Sequence, residues 1–135
     1  MSPYLAEFLG TMLLITMGNG VVAGVTLKRT KSENAGYLVV VLGWGLAVTL
    51  AIYAVGRVSN AHLNPAVTLA LFANNDFPGD MVIGYIAAQF AGAFAGAVLV
   101  CMALGFSIER VAYRRLRHAP RLSALITAIG MSIVL

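Results

Sequence analysis

The reading of this chain turns on Ser59-Asn-Ala-His-Leu-Asn-Pro-Ala-Val-Thr68. Asn64 is a favoured helix cap and Pro65 suits a first helical position, so a helix is expected to begin there. The apolar run Ala66 to Ala73 supports only about two turns, roughly half the thickness of a bilayer. Two readings fit such a segment taken alone. One is a re-entrant half-helix entered from polar, non-helical residues. The other is an ordinary surface loop with an Asn-Pro turn, and Asn-Pro-Ala by itself favours the loop. The flanking sequence decides between them.

Outward from this stretch the chain is built for lipid. It has 135 residues, 60% of them hydrophobic and 10% charged, with a mean hydropathy of +0.88. Soluble domains carry roughly a quarter charged residues. Tyr4 to Leu27 holds one charge, Glu7, while Gly36 to Gly56 and Met81 to Ile108 hold none. Each is long enough to cross a hydrocarbon core of about 30 Å. A cleaved leader is not indicated, because no basic segment precedes the first run and that run is too long. Helices are expected over residues 4–27, 36–56 and 81–107, with a polar connection over 28–35. Residues 57–79 are too short to span, 107–121 form a basic stretch, and 122–135 an apolar run. That last run would reach roughly 21 Å as a helix and stops short of a crossing. The expected fold is an all-α membrane protein: three transmembrane helices plus one re-entrant half-helix, with a truncated fourth span.

In that setting irregular backbone at membrane depth survives only where protein covers it or where it lines a wet cavity. The carbonyls of residues 59–63 would serve as acceptors along a path. The positive helix end at Asn64 would repel cations, protons included. Gly92-Ala-Phe-Ala-Gly96 has the spacing that lets helix backbones approach, and either generic packing or a specific role fits it. Glu7 costs roughly 2.5–3.5 kcal/mol inside a membrane, so it must find donors, face water or snorkel from its helix end. Lys28, Arg29 and Lys31, then Arg110, Arg114, Arg115, Arg117 and Arg121, flank apolar spans. The net charge of +4 therefore concerns orientation and headgroups rather than nucleic acid. Cys101 has no partner for a disulfide or metal site and reads as packing. His62, His118 and five scattered acids form no nucleophile–base pair or metal-ligand spacing, so no enzyme and no cofactor are expected.

Ser59 to Thr68 resembles the first signature loop of the aquaporin and glycerol-facilitator family. Ala6-Glu-Phe-Leu-Gly-Thr11 is similar to the family's first-helix motif. Trp44-Gly-Leu-Ala-Val-Thr-Leu-Ala-Ile-Tyr53 resembles its second helix, and Gln89 with Ala91-Gly-Ala-Phe-Ala-Gly96 its third. Asp76-Phe-Pro78 also suits the facilitator branch. The likeness covers about residues 4–103 and implies a passive channel for glycerol, small polyols or water in the cell membrane. It implies that the Asn64 amide donates to the permeant and that Pro65 and Ala66 stack two half-helices. His62 would lie beside the pore, the alternative being a buried, satisfied side chain. Trp44, 20 residues before Asn64, would line the outer constriction; the alternative of an interfacial tryptophan conflicts with its mid-helix position. Glu7 would accept from amides of the re-entrant loop. Four protomers side by side are implied as well.

The chain departs from the resemblance in two ways. The family builds its pore from two inverted repeats, and only the first is found in this sequence. A second Asn-Pro-Ala and the constriction arginine after it are missing, so the channel is expected to be incomplete. Ile108 to Ser132 resembles instead a segment of LivH-type permeases of branched-chain amino acid ABC transporters. Residues 1–103 and 104–135 are therefore expected to differ in origin, as in a fused or truncated reading frame. Charge agrees: Lys28, Arg29 and Lys31 share a side with the arginines after the third span, a side the family places outside and basic residues favour inside. Alternative functions are a permease fragment docking an ATPase through residues 107–121, and a membrane protein without transport activity.

Overall fold

The structure, a computed structural model, describes residues 1–110. The expected partial span over 122–135 and Arg114, Arg115, Arg117 and Arg121 lie outside the described residues. Among the described residues all regular elements are helices: α1 (Pro3–Thr26), α2 (Tyr37–Ser59), α3 (Pro65–Ala73) and α4 (Gly79–Ile108). Three of them are long and apolar enough to cross a membrane, and α3, at about 14 Å, is not.

Each boundary has a local cause. Ser2 caps α1, its hydroxyl accepting from Leu5 N at 3.3 Å, with Pro3 at the first helical position. The α2 helix runs three residues past the expected end at Gly56. Asn60 takes the left-handed conformation (φ 63°) and sends its N–H back to Gly56 O, so the asparagine is the stop signal. Arg57 in the last turn complements the helix dipole. The α4 helix starts two residues earlier than expected, on the cap Pro78.

The α1 helix is central, packing against α2 on one side and α4 on the other, while α3 rests on α4. A β-carbon on Gly43 would stand 2.7 Å from Val21, and one on Gly10 2.7 Å from Val55. These pairings run in opposite senses, so α1 and α2 are antiparallel. A β-carbon on Gly92 would collide with the carbonyl oxygen of Phe8, and one on Gly96 would lie 2.6 Å from that of Met12. Those pairings run in the same sense, so α1 and α4 are parallel. The Gly92–Gly96 spacing is thus a helix–helix contact inside the chain. The parallel arrangement also puts Lys28, Arg29, Lys31 and Arg110 at one end of the bundle.

Burial is inverted relative to a soluble protein. Leu38, Leu42 and Leu46 on α2, and Ile83, Phe90, Phe94 and Phe106 on α4, point outward, as suits a hydrocarbon surround. The buried apolar set is small (Ala6, Ala47, Ala51, Val55, Leu63, Val82 and Tyr85), and beside it lie six buried polar groups: Glu7, Thr11, Ser59, His62, Thr68 and Gln89. Those polar groups mark the site.

Candidate functional site

Between the end of α2 and the start of α3 the backbone adopts a conformation that ordinary residues avoid. Asn60, Ala61 and Leu63 all have positive φ, at 63°, 49° and 55°. None is a glycine, and each left-handed residue costs about 1–3 kcal/mol unless its surroundings impose it. The imposing group is Glu7, fully buried on α1. Its Oε1 accepts from Ser59 Oγ at 2.6 Å and from His62 N at 2.9 Å. Its Oε2 accepts from Leu63 N at 2.7 Å and from Gln89 Nε2 at 2.8 Å. A carboxylate is an acceptor with about four lone-pair sites, and four donors converge on this one. Bonds to a charged acceptor contribute roughly 1.5–3 kcal/mol each, enough to hold an unfavourable loop and to offset the burial of one charge.

Further bonds close the loop around this clamp. Ser59 Oγ accepts from Ala61 N at 3.1 Å, and Tyr85 OH donates to Ser59 O at 3.1 Å. Gln89 Nε2 also donates to Thr68 Oγ1 at 3.0 Å, which lies 3.1 Å from His62 Nδ1. His62 is 5% exposed and its ring sits among aromatic faces, with ring centres 4.6 Å from Phe77 and 5.0 Å from Tyr85. Phe77 and Tyr85 pack edge to face at 4.7 Å, and Tyr4 meets Tyr85 at 5.8 Å.

Past the loop, Asn64 sits at the cap of α3 in extended backbone, its side-chain oxygen accepting from Ala66 N at 2.9 Å. The oxygen is therefore committed to the helix, and the amide NH2 is the end left to donate. Asn64 is exposed and opens on two cavities. One, of about 310 Å³, is lined by Trp44, Leu63, Asn64, Pro65, Gln89 and Phe90 among others. The second, of about 370 Å³, includes His62, Leu63, Asn64 and Val67. Trp44 is held by α1, since a β-carbon on Gly18 would fall 2.6 Å from its ring. The structure therefore brings Trp44, Asn64 and Pro65 to one cavity and His62 and Asn64 to the next. Ala66 is exposed and lines neither; its contribution is the N–H that fixes Asn64. Glu7 lies behind the loop.

One expectation needs correction. The Ser59 carbonyl, expected to face a path, is taken by Tyr85 OH. The carbonyls of Asn60, Ala61, His62 and Leu63 accept no hydrogen bond among the described residues.

The sequence reading gave no role to Tyr85, Thr68, Phe77 or the Ser59 hydroxyl, and quoted Gln89 only as part of a motif. A signal was present. Tyr85, Gln89, Gly92 and Gly96 fall at helical spacing on one face of α4, where two polar groups precede two small residues inside an otherwise apolar span.

A family model described as "Major intrinsic protein" matches residues 1–135. The "Probable glycerol uptake facilitator protein" of Thermotoga maritima is 59% identical over 100 residues, covering 74% of this chain and 43% of that protein. The glycerol uptake facilitator protein of Bacillus subtilis is 55% identical over 100 residues, 74% of this chain and 36% of that protein. Aquaglyceroporin-3 of Trypanosoma brucei brucei is 51% identical over 94 residues, 70% of this chain and 30% of that protein. The matched stretch spans less than half the length of each relative. With that likeness, three spans and a buried loop clamped at Glu7, the chain belongs to the major intrinsic protein family.

Proposed function

We propose that this chain forms one half of the wall of a passive channel for small neutral solutes, glycerol-like polyols and water, in the cell membrane. The observation that carries the reading is the division of labour at Asn64. Its oxygen is held by Ala66 N at 2.9 Å, so its NH2 is presented to a cavity shared with Trp44. A donor at the positive end of a helix suits a hydroxyl oxygen and disfavours a cation. An indole face in the same cavity suits a carbon backbone. Pro65 begins the half-helix, Ala66 fixes its cap, and His62 borders the neighbouring cavity. Glu7 supports the loop from behind.

Relatives named as glycerol uptake facilitators support the choice of solute. Assembly into a homo-oligomer of four belongs to the same proposal, as does the surrounding lipid as partner. Purified protein in liposomes, followed by swelling in glycerol or ribitol, tests it. Because the chain supplies half of a wall, conduction requires two copies to complete it. Faster swelling that Asn64→Asp abolishes is the expected result, and swelling equal to that of empty liposomes refutes conduction by this chain. Residues 104–135 as a segment of separate origin is a further part of the proposal, motivated by the likeness of Ile108 to Ser132 to a LivH-type permease segment and by the basic residues that follow the third span. An intact gene encoding homologues of this length would refute it.

A further inference from the structure

We infer that the chain carries a seat for one anionic phospholipid in the groove between α1 and α4, at the end of the bundle away from the amino terminus. The groove encloses about 420 Å³, and its walls include Thr16, Gly20, Gly24, Leu27, Leu99 and Ala103. From Thr16 to Leu27 it runs about 17 Å along α1, close to the roughly 15 Å depth of one leaflet.

Its walls suit an acyl chain and not a polar ligand. The two hydroxyls lining it are already engaged with backbone: Thr16 Oγ1 donates to Met12 O at 2.7 Å, and Thr30 Oγ1 is bonded to Gly24 O and Leu27 O. Neither of these hydroxyls is free to donate to a soluble molecule. Its mid-section is hollow because of Gly20, where an added β-carbon would meet no atom within 4 Å. At the other glycines of α1 the space is taken: Gly10 faces Leu63 and Val55, Gly18 faces Trp44, and Gly24 faces Ser32 Oγ.

Charge at the rim selects the headgroup. Leu27 and Thr30 line the mouth, and between and beside them Arg29 and Lys31 are exposed. The acids at this end are Glu33, whose carboxylate accepts from the Arg29 backbone N–H at 2.6 Å, and Glu109 at the end of α4; Lys28, Arg29, Lys31 and Arg110 outnumber them. The parallel course of α1 and α4 brings Arg110, over the Phe106 ring at 6.0 Å, to the same end. A phosphate at this mouth lies at the end of the bundle that carries these exposed basic residues, while its chain descends the apolar groove.

Native mass spectrometry of the purified chain, titrated with dioleoylphosphatidylglycerol or dioleoylphosphatidylcholine, tests the assignment. Selective retention of phosphatidylglycerol is expected. It should weaken about fivefold with Arg29→Ala or Lys31→Ala, and about thirtyfold with both. Gly20→Leu puts bulk into the groove from a position where the added β-carbon meets no atom within 4 Å, so it should release both lipids while the melting temperature in lipid-free detergent stays unchanged. Equal retention of the two lipids, or unchanged phosphatidylglycerol binding in Gly20→Leu, overturns the inference. A Gly20→Leu protein that changes oligomeric state would assign the groove to a second copy of the chain and overturn it too.

Discussion

Replacing Glu7 with glutamine changes one oxygen to NH2, and the geometry of the clamp dictates the damage. The Oε1 side receives Ser59 Oγ and His62 N, and the Oε2 side receives Leu63 N and Gln89 Nε2. Whichever way the new amide turns, its NH2 faces one backbone N–H that cannot rotate away. A serine hydroxyl can turn to accept, but the N–H of His62 or Leu63 is left buried and unpaired. An orphaned buried donor costs about 1–3 kcal/mol, and the remaining bonds fall from charged to neutral strength. Together these changes should weaken the loop clamp by about 3–5 kcal/mol, or about 10²- to 10⁴-fold in the loop's closing equilibrium. Hydrogen exchange of the peptide spanning residues 59–68, measured in detergent or nanodiscs, reads that equilibrium at the two amides concerned. Glu7→Gln should accelerate exchange at His62 and Leu63 by that factor, and Glu7→Asp, which keeps the charge with a shorter reach, by less. Identical protection in the Glu7→Gln and parent proteins would refute the claim that the carboxylate holds the loop.

Three further outcomes are expected. Asn64→Asp keeps the cap oxygen for Ala66 N but removes the donor, so the melting temperature should stay close to that of the parent while solute permeability in liposomes is lost. Gly92→Ala drives a β-carbon onto the Phe8 carbonyl and should destabilise by about 1–3 kcal/mol or more, whereas Gly20→Ala meets open space and should be neutral or stabilising by up to about 1 kcal/mol. Thermal unfolding of the pair in one detergent separates them. Tyr85→Phe deletes the bond to Ser59 O and should lose about 0.5–1.5 kcal/mol, with faster exchange at Asn60 and Ala61 as the local readout.

The three spans were legible because each is an apolar run of sufficient length with at most one charge. The Asn-Pro pair marked a helix start, but the choice of a re-entrant half-helix over a surface loop needed the flanking sequence. The end of α2 lies beyond the expected residue 56 because the uncharged run that set that boundary stops before Arg57, whereas the helix does not. The chain instead continues until Asn60, whose amide reaches back to Gly56 O. Around the site, Asn64, Pro65 and Trp44 could be found from motif and spacing, and they share a cavity. The roles of Tyr85 and Thr68 could not, since they depend on contacts between residues 26 and 21 positions apart. Gln89 reaches Glu7 across 82 positions, and only the parallel packing of α1 on α4 creates that meeting. Left-handed backbone at Ala61 and Leu63 is likewise invisible in composition, because neither residue type announces it.

The order in which these groups leave the ribosome sets a constraint on assembly. Glu7 is made first and the strained turn at Asn60 to Leu63 much later. Two stabilisers of that turn, Tyr85 and Gln89, emerge later still, on the following helix. Until that helix docks alongside the first, the turn has incomplete support, and a half-inserted stub of helix would expose bare peptide groups to lipid. Entry of the stub into the bilayer is therefore a late event, completed only when the third crossing locks against the first. A nascent chain halted before residue 85 emerges should keep residues 60–73 at the membrane surface.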